Sequence, residues 1–569
     1  MIEQIKRQLQ AELESTLREA HKIHEPVIVE EPKRANQGDI SVPVFPLVRA
    51  FGKSLPIVVD LVMGLILNTS VSEFFERVDP VQGFINITLK KQKIASRVID
   101  RFKTGFEEFT SSKKGDGKVV CIDYSSPNIA KPFSIGHLRS TIIGHALANI
   151  LKKCGYKVIR INHLGDFGTQ FGKIIYAYIH YGNEELVRKN PIQELEKLYV
   201  LFHEKAKENP ELEDRAREIF RDLELKDPKY SELWSWFREE SLKEYMQVYR
   251  KLCVGFDSYD GEAFYNDKMQ PVIEELKAKG LLVEDEGAMI VDLGDKVPPA
   301  LIQKSDGSTL YITRDLAAIF YRKQTYGFHK CLYVVGNEQK LHFEQLKRVV
   351  GLMGYPYYED IVHVNFGLVL QDGKKMSTRK GKTVKLIDVL DEAVSLSLDY
   401  IKEKNPDLPD KEAIAEKIGV SAIVFNDLKN FRGNDFEFNL QDMVNFFGQT
   451  GPYLQYTSVR INSILSQGDF VFDGDVDLNW FGQDHVYELI KAIGAYPEVI
   501  ERSALEYAPN LLAKYLLNLA SLFNTLYGKD RILVEDEKEK QTKLHLLFMV
   551  KAILNDGMAL LGMQIIDRM

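Results

Sequence analysis

The sequence predicts a doubly wound α/β domain built on a parallel sheet, with an α+β domain on its N-terminal side and an all-α helix bundle on its C-terminal side. The sheet is predicted by alternation of strand and helix. VVCIDY (119–124) is an apolar run of strand length, residues 135–153 have helical patterning with Gly155 just past their end, and residues 158–161 form a second strand. The same style returns at CLYVVG (331–336) and IVHVNF (361–366), and Phe343, Leu346, Val349 and Val350 mark the helix between them. Parallel neighbours need a crossover connection, usually a helix, so this alternation reads as a Rossmann-like sheet. From Leu386 onward strand patterning fades. Apolar residues then recur at three- and four-residue steps, at Leu512, Tyr515, Leu516, Leu519, Leu522, Phe523 and Leu526 and again at Leu547, Val550, Ile553 and Leu554, which predicts bundle helices.

The remaining elements follow in chain order. Ile2, Ile5, Leu9, Leu13 and Leu17 form the stripe of an amphipathic first helix. Residues 31–89 contain the turn-like RANQGD, the apolar run PIVVDLVMGLIL and the strand-like GFINITL, a small α+β unit. The polar TSSKKGDGK (110–118) reads as a linker. The charged, helical stretch near 177–250 is an insertion between the two halves of the sheet. Domains are accordingly placed at 1–110, 117–385, 451–569 and, between the last two, a connecting region at 386–450.

Composition narrows the function. At 45% hydrophobic and 27% charged residues the chain has apolar area for several cores and no mark of long disorder. No run approaches about eighteen apolar residues and MIEQIKRQLQ is charged, so neither a membrane span nor a signal peptide is expected, and the chain is placed in the cytoplasm. The four cysteines, Cys121, Cys154, Cys253 and Cys331, are too far apart for a zinc knuckle or disulfide framework, and no protein metal site is expected. A net charge of −8 speaks against non-specific coating of nucleic acid but leaves room for a local RNA-binding face.

SPNIAKPFSIGHLRST (126–141) follows the first strand and opens a helix. GDFGTQFGKI lacks Walker spacing, with Ile174 where Ser or Thr would meet magnesium, and no dinucleotide fingerprint follows the strand. The opening turn nevertheless suits a polyphosphate. Gly136 permits close backbone approach, the helix start offers free N–H groups and a positive dipole end, and His137 and Lys131 add donors. A lone Gly-His pair is more often an ordinary turn, but a second segment accompanies it. GKKMSTRKGK (373–382) brackets Lys374, Lys375, Arg379, Lys380 and Lys382 with glycines around Ser377 and Thr378, the composition of a loop that closes over phosphates.

These two segments resemble the signatures of the class I aminoacyl-tRNA synthetases, usually written HIGH and KMSKS. The resemblance narrows to arginyl-tRNA synthetases through DYSSPNIAKPFSIGHLRST, NHLGDFGTQFGK, LYITRDLAAIFYR, VVGNEQKLHFEQ, KKMSTRKG and GPYLQYTSVR, in that order, with GFINI and LLGMQIIDRM similar to the two ends. It implies ATP-dependent activation of L-arginine to arginyl-adenylate, then transfer to tRNA(Arg). ATP would enter with Mg²⁺ as substrate complex, without a tightly bound cofactor, and the protein would act as a monomer.

By the same resemblance Lys131, His137, Lys375 and Lys380 are the catalytic group, with Ser134, Gly136, Gly367 and Ser377 joining His137 and Lys375 around ATP. Two departures stand out: Ser134 replaces the first histidine of HIGH, and Thr378 replaces the second lysine of KMSKS, which puts more weight on Lys131. The arginine pocket is expected at Asp123, Ser126, Asn128, Tyr311, Asp315 and Gln339. Asp123 and Asp315 would take the guanidinium, whose planar fork of donors suits carboxylates. His163, Gly165, Asp166 and Gln170 are expected near ribose or aminoacyl groups, and His342 is read as a helix cap. Phe84 and Asn86 at the tRNA elbow, and Tyr453, Gln455, Tyr456 and Arg460 at the anticodon, are the RNA candidates, although aromatics at helical spacing are more often core. The rivals weighed are a related class I enzyme, such as the cysteine one, and a tRNA-binding protein that has lost activation.

Overall fold

The computed structural model describes residues 1–569 except 33, 35–36, 306–310, 377, 380–381, 473 and 475, and except the side chains of 378–379 and 382–383. The chain forms two compact units, one of Met1–Ser111, Thr457–Arg502 and Tyr515–Asp556, the other of Ser112–Tyr456, Ser503–Lys514 and Gly557–Met569.

The second unit is built on a four-stranded parallel sheet in the order Ile361–His363, Lys330–Tyr333, Val119–Asp123, Lys157–Ile161. Cys121 lies opposite Cys331 and Asp123 opposite both Tyr333 and Ile161, so the two halves found in the sequence meet at one seam. Helix Leu138–Lys153 is buried over nearly its whole first three turns, and Gly155 follows it at φ 86°. Helix Lys340–Leu352 buries Phe343, Leu346, Val349 and Val350, the apolar stripe read from sequence. The insertion comprises helices Thr169–Tyr181, Glu184–Lys189, Pro191–Glu208, Glu211–Glu224 and Pro228–Lys251. A three-stranded antiparallel sheet, Leu282–Asp285, Ala288–Val291 and Ala300–Gln303, was not expected. Its first turn places Glu286 and Gly287 at φ 46° and 81°, a hairpin turn whose Glu-Gly pair the surrounding charge disguises.

In the first unit, strands Ile40–Pro43, Phe84–Leu89 and Phe75–Val81 form an antiparallel sheet with Phe84–Leu89 in the centre. The apolar run after Ser54 is helix Leu55–Leu67, which buries Val58, Val59, Val62 and Ile66. The N-terminal segment and the late helices share this unit: Lys91 pairs with Asp484, and the Phe102 ring meets Phe548 edge-on at 6.2 Å. No single helix among the described residues is long and apolar enough to cross a membrane.

Candidate active site

Strand Val119–Asp123 ends at the open edge of the sheet and the next residues depart from ordinary backbone geometry. Ser125, Ser126 and Ala130 have φ of 73°, 49° and 60°. Left-handed backbone costs a non-glycine residue about 1–2 kcal/mol, and such strain gathers where a loop must present groups in a set direction. The loop is braced throughout. Ser125 N–H donates to Ser140 Oγ at 2.8 Å, its hydroxyl meets Tyr249 Oη at 2.8 Å, and Ser126 N–H donates to Asn162 Oδ1 at 3.2 Å. Tyr245 Oη reaches the carbonyls of Asn128 and Lys131, both at 2.6 Å. Gly165 runs beside Asn128, where a Cβ would lie 2.1 Å from Asn128 Oδ1 and would push that side chain aside. Lys131 itself is exposed at the end of this rigid loop, as is Asn128.

The S-I-G-H turn is a short 3-10 helix, Ile135–His137, capped reciprocally: Ser134 N–H donates to His137 Nδ1 at 3.2 Å, while His137 N–H bonds back to Ser134. With Nδ1 accepting, the imidazole proton sits on Nε2, a neutral donor. Gly136 is exposed, and a Cβ there would meet only Ser134 Oγ at 3.4 Å, so packing within the chain does not demand glycine. The same turn is tied to the end of the lysine-rich loop. Ile135 N–H donates to the Val384 carbonyl at 3.0 Å, Leu386 N–H donates to the Phe133 carbonyl at 2.9 Å, and Ser134 bridges to Lys385. The start of that loop is a hairpin of Val369–Gln371 with Lys374–Lys375, turned at Asp372 and Gly373, with Lys375 exposed. Ser377 and Lys380 lie outside the described residues. Gly367 is buried, and a Cβ there would stand 2.5 Å from the Asn434 backbone, so packing against that segment already calls for glycine.

Burial holds the His137 and His145 imidazoles down to about 4. In the unfolded chain they titrate near about 6.5, so between these values the unfolded state binds more protons. Their contribution to stability is therefore full above about 6.5 and is lost as pH falls towards about 4. The urea midpoint is expected to drop between pH 7 and pH 5, and His145→Gln to make the drop shallower. An equally steep drop in that variant would contradict the assignment.

The residues expected in the arginine pocket are distributed over three elements. Helix Tyr311–Tyr326 carries Tyr311 and Asp315 one turn apart on one face, with Tyr311 69% exposed. Asp315 Oδ2 accepts from His342 Nε2 at 2.6 Å. Burial by itself would raise the Asp315 carboxyl, but this hydrogen bond and the charges of His342 and Arg322 outweigh it and keep the group below the usual carboxylate range. His342 thus bonds Asp315 instead of capping its helix. Gln339 lies three residues before it and is exposed.

Asp123 departs from expectation. It does receive a guanidinium, but one from this chain: Arg322 Nη2 donates to Oδ2 at 2.7 Å, both side chains are buried, and Ser126 Oγ donates to Oδ1 at 3.0 Å. Among the groups after the second strand, Asp166 is also taken, by Arg238 Nε at 2.8 Å and the Ala263 N–H at 2.9 Å, so it anchors the insertion and is not open to ribose. His163 is packed beside Tyr265 with Nδ1 3.4 Å from Arg322 Nη2, and Gln170 is half-buried.

The RNA candidates divide similarly. Asn86 is buried in the central strand and accepts from Ser41 Oγ at 2.8 Å, and Gln455 is buried with its amide donating to the Gln564 carbonyl at 2.7 Å. Their bonds lie inside the protein, although Gln455 Oε1 is buried without a partner among the described residues. Phe84 is half-buried with Phe45 beside it, 51% exposed, at 5.6 Å. Tyr456 is 45% exposed, Tyr453 is half-buried, and Arg460 sits 4.0 Å over the Tyr527 ring.

Two residues were missed by the sequence reading. Arg139, just after the S-I-G-H turn, is buried and binds Asp427 through Nε at 3.0 Å and Nη2 at 3.1 Å, with Nη1 on the Asn434 carbonyl at 2.8 Å. Arg322 had a signal: Tyr311, Asp315 and Arg322 fall at i, i+4 and i+11 of one helix, a single polar stripe.

Comparison with known proteins agrees with this geometry. Family models match over residues 106–440 (tRNA synthetases class I (R), catalytic domain), 454–569 (DALR anticodon binding domain) and 3–89 (arginyl tRNA synthetase N terminal domain). The chain is 48% identical over 543 residues to the Arginine–tRNA ligase of Enterococcus faecalis, covering 95% of each. Its structure is similar to the crystal structure of arginyl-tRNA synthetase from Plasmodium falciparum, with 26% identity, 99% of each chain covered and a TM-score of 0.83. It shares the fold of Thermus thermophilus arginyl-tRNA synthetase at 24% identity and a TM-score of 0.83, over 99% of this chain and 100% of that one. A family model spanning more than half of the chain, and a relative nearly half identical along almost its whole length, place it in one family: the chain belongs to the class I arginyl-tRNA synthetases.

Proposed function

We propose that the chain ligates L-arginine to tRNA(Arg) in two steps, with the S-I-G-H turn, the lysine-rich loop and the Asp315 pocket as its working parts. The observation that carries this reading is the backbone pairing of residues 133–135 with 384–386, which supports one ATP site assembled from both signature segments. ATP enters as its Mg²⁺ complex. The arginine carboxylate attacks the α-phosphate, the bond to the β-phosphate oxygen breaks, and pyrophosphate leaves. Charge accumulates on the phosphate oxygens, so cations and donors already in place lower the barrier without reorganising. Lys131 supplies charge from a rigid loop, His137 Nε2–H supplies a neutral donor, and Lys375 supplies charge from the hairpin. In the second step a hydroxyl of the terminal adenosine of tRNA attacks the adenylate carbonyl and AMP leaves.

Asp315, kept ionised beside His342, takes the substrate's guanidinium, with Tyr311 and Gln339 as its flanks and Asn128 at the α-amino end. The RNA candidates are Phe84 with Phe45 at the elbow, and Tyr453, Tyr456 and Arg460 at the anticodon, where the exposed Phe45 and Tyr456 rings can stack on unpaired bases. Residues 1–110 would serve the elbow and 451–569 the anticodon, and the protein would work as a cytoplasmic monomer.

ATP/pyrophosphate exchange across the twenty amino acids, with and without total tRNA, tests the activity. Exchange with arginine alone is expected, and exchange with another amino acid, or none in either condition, would refute it. Lys131→Ala is expected to lower the arginine-dependent rate by roughly 10²-fold, the scale of losing one transition-state donor. Its melting temperature should stay at the wild-type value, since the side chain is exposed. A rate near wild type removes Lys131 from the mechanism.

A further inference from the structure

Tyr311 and Asp315 stand on helix Tyr311–Tyr326, whereas Gln339 ends the short 3-10 turn Asn337–Gln339 that runs into helix Lys340–Leu352. A side-chain bond joins these two elements: His342 Nε2 donates to Asp315 Oδ2 at 2.6 Å, with the side chains 21% and 22% exposed. Asp315 Oδ1 has no hydrogen-bond partner among the described residues, so one oxygen of the carboxylate is held and the other is left for a ligand. Both elements are braced around this bond. Beside Asp315, Thr313 Oγ1 donates to the Ile302 carbonyl at 2.5 Å and Arg314 lies 3.6 Å from the Glu262 carboxylate. On the other element, Asn337 N–H donates to the Phe366 carbonyl at 2.9 Å and Asn337 Oδ1 accepts from Asn365 Nδ2 at 2.6 Å. The Phe343 ring stacks on His363 at 4.6 Å and meets the His342 ring edge-on at 5.3 Å.

We infer that His342 is a positioning residue for the substrate arginine: it sets the plane of the Asp315 carboxylate and locks the helix of Tyr311 and Asp315 against the element that carries Gln339. The reason lies in the aspartate side chain. Its last torsion is soft and roughly two-fold, so an unrestrained carboxylate samples many planes, whereas a guanidinium fork needs one plane to make two parallel bonds. Each carboxylate oxygen can accept two bonds, so Oδ2 held by His342 keeps a lone pair for the fork. Imidazole suits the task because Nε2–H donates both in that neutral tautomer and in the protonated ring, and because the ring itself is rigid. Orientation fixed before the substrate arrives lowers the cost of binding it. The inference rests on the reading of Asp315 as the substrate's carboxylate and adds the group that orients it.

The test compares His342→Gln, whose side-chain amide can place an N–H near the position of Nε2, with His342→Ala, by arginine-dependent ATP/pyrophosphate exchange and thermal melting of the full-length protein. In His342→Ala, KM for arginine is expected to rise about tenfold or more, the scale of a lost hydrogen bond to a charged group, while KM for ATP stays within about twofold and kcat within about threefold. In His342→Gln, KM for arginine is expected within about threefold of wild type. An unchanged KM for arginine in His342→Ala overturns the proposal, whether or not the melting temperature falls. An equal rise in both variants overturns it too, because the donor would then not be what matters. If His342→Ala does not fold, His342→Met, which fills the site without a donor, takes its place. Asp315→Ala separates the underlying reading, since an unchanged KM for arginine there removes the pocket assignment itself. With that reading intact, His342→Ala added to Asp315→Ala should change KM for arginine by less than about twofold, because no carboxylate is left to orient. A further tenfold rise would mean that His342 acts on the substrate independently and would overturn the proposal; where the double variant is too slow to measure, the comparison of Gln with Ala decides.

Discussion

Asp315→Ala is expected to lower kcat/KM for arginine by roughly 30- to 5,000-fold, corresponding to about 2–5 kcal/mol for removing one partner of a close charged pair. The side chain receives a 2.6 Å hydrogen bond from His342 and is held below the usual carboxylate range, so it is ionised at neutral pH. Its charge is lost only as pH falls through that lowered value. Truncation leaves both the substrate's guanidinium and His342 without their acceptor, which costs more than never having had the pair. KM for ATP should stay close to wild type because no ATP-side group is touched. Discrimination against lysine should fall as well, since the carboxylate's planar match to a fork of donors is what separates the two. Steady-state exchange with arginine and with lysine decides it, and wild-type values for both would remove Asp315 from the pocket.

Asp427→Ala is expected to destabilise the fold by about 3–5 kcal/mol, the cost of leaving one partner of a buried ion pair alone. Asp427 and Arg139 are each 1% exposed at the side chain, and the guanidinium between the Phe366 and Phe436 rings has no route to water. Burial raises the Asp427 carboxyl even with Arg139 against it, so desolvation outweighs attraction there. Hence the pair's value is not net stability. Replacing both partners, Arg139→Met with Asp427→Leu, should cost less than Asp427→Ala by itself. The pair joins the first-signature helix to residues 427–436, which in turn grip Gly367 and Leu368 just before the lysine-rich hairpin. Urea unfolding measures the effect, and a loss below about 1 kcal/mol in Asp427→Ala would show that the site can relax around a lone arginine.

What could be read in advance was the part encoded locally. The strand 119–123, the turn at Gly136, the helix behind it with Gly155 at its end, and the stripe Phe343, Leu346, Val349 and Val350 each lie within a window of a few turns. Periodicity and turn chemistry act over that range, so residue order suffices. The strands at 282–303 escaped because a charged Asp-Glu-Gly turn interrupts short, partly exposed strands with little apolar alternation. Several of the candidate site residues prove to have partners inside the chain that residue type alone does not reveal. Asn86, Gln455, Asp166 and Asp123 carry the residue types of ligand contacts, and each bonds a partner far away in the chain.

By itself, the sequence determined the family, the parallel sheet and the position of both signature segments along the chain. Only the tertiary structure decided that Asp123 meets Arg322, that His342 bonds Asp315, that His137 is a neutral donor, and that Arg139 is paired with Asp427. The reason is one of range. Arg322 and Asp123 are 199 residues apart and Arg139 and Asp427 288, and a residue type states which hydrogen bonds a side chain can make. Whether those bonds are left for a substrate depends on what packing brings against them.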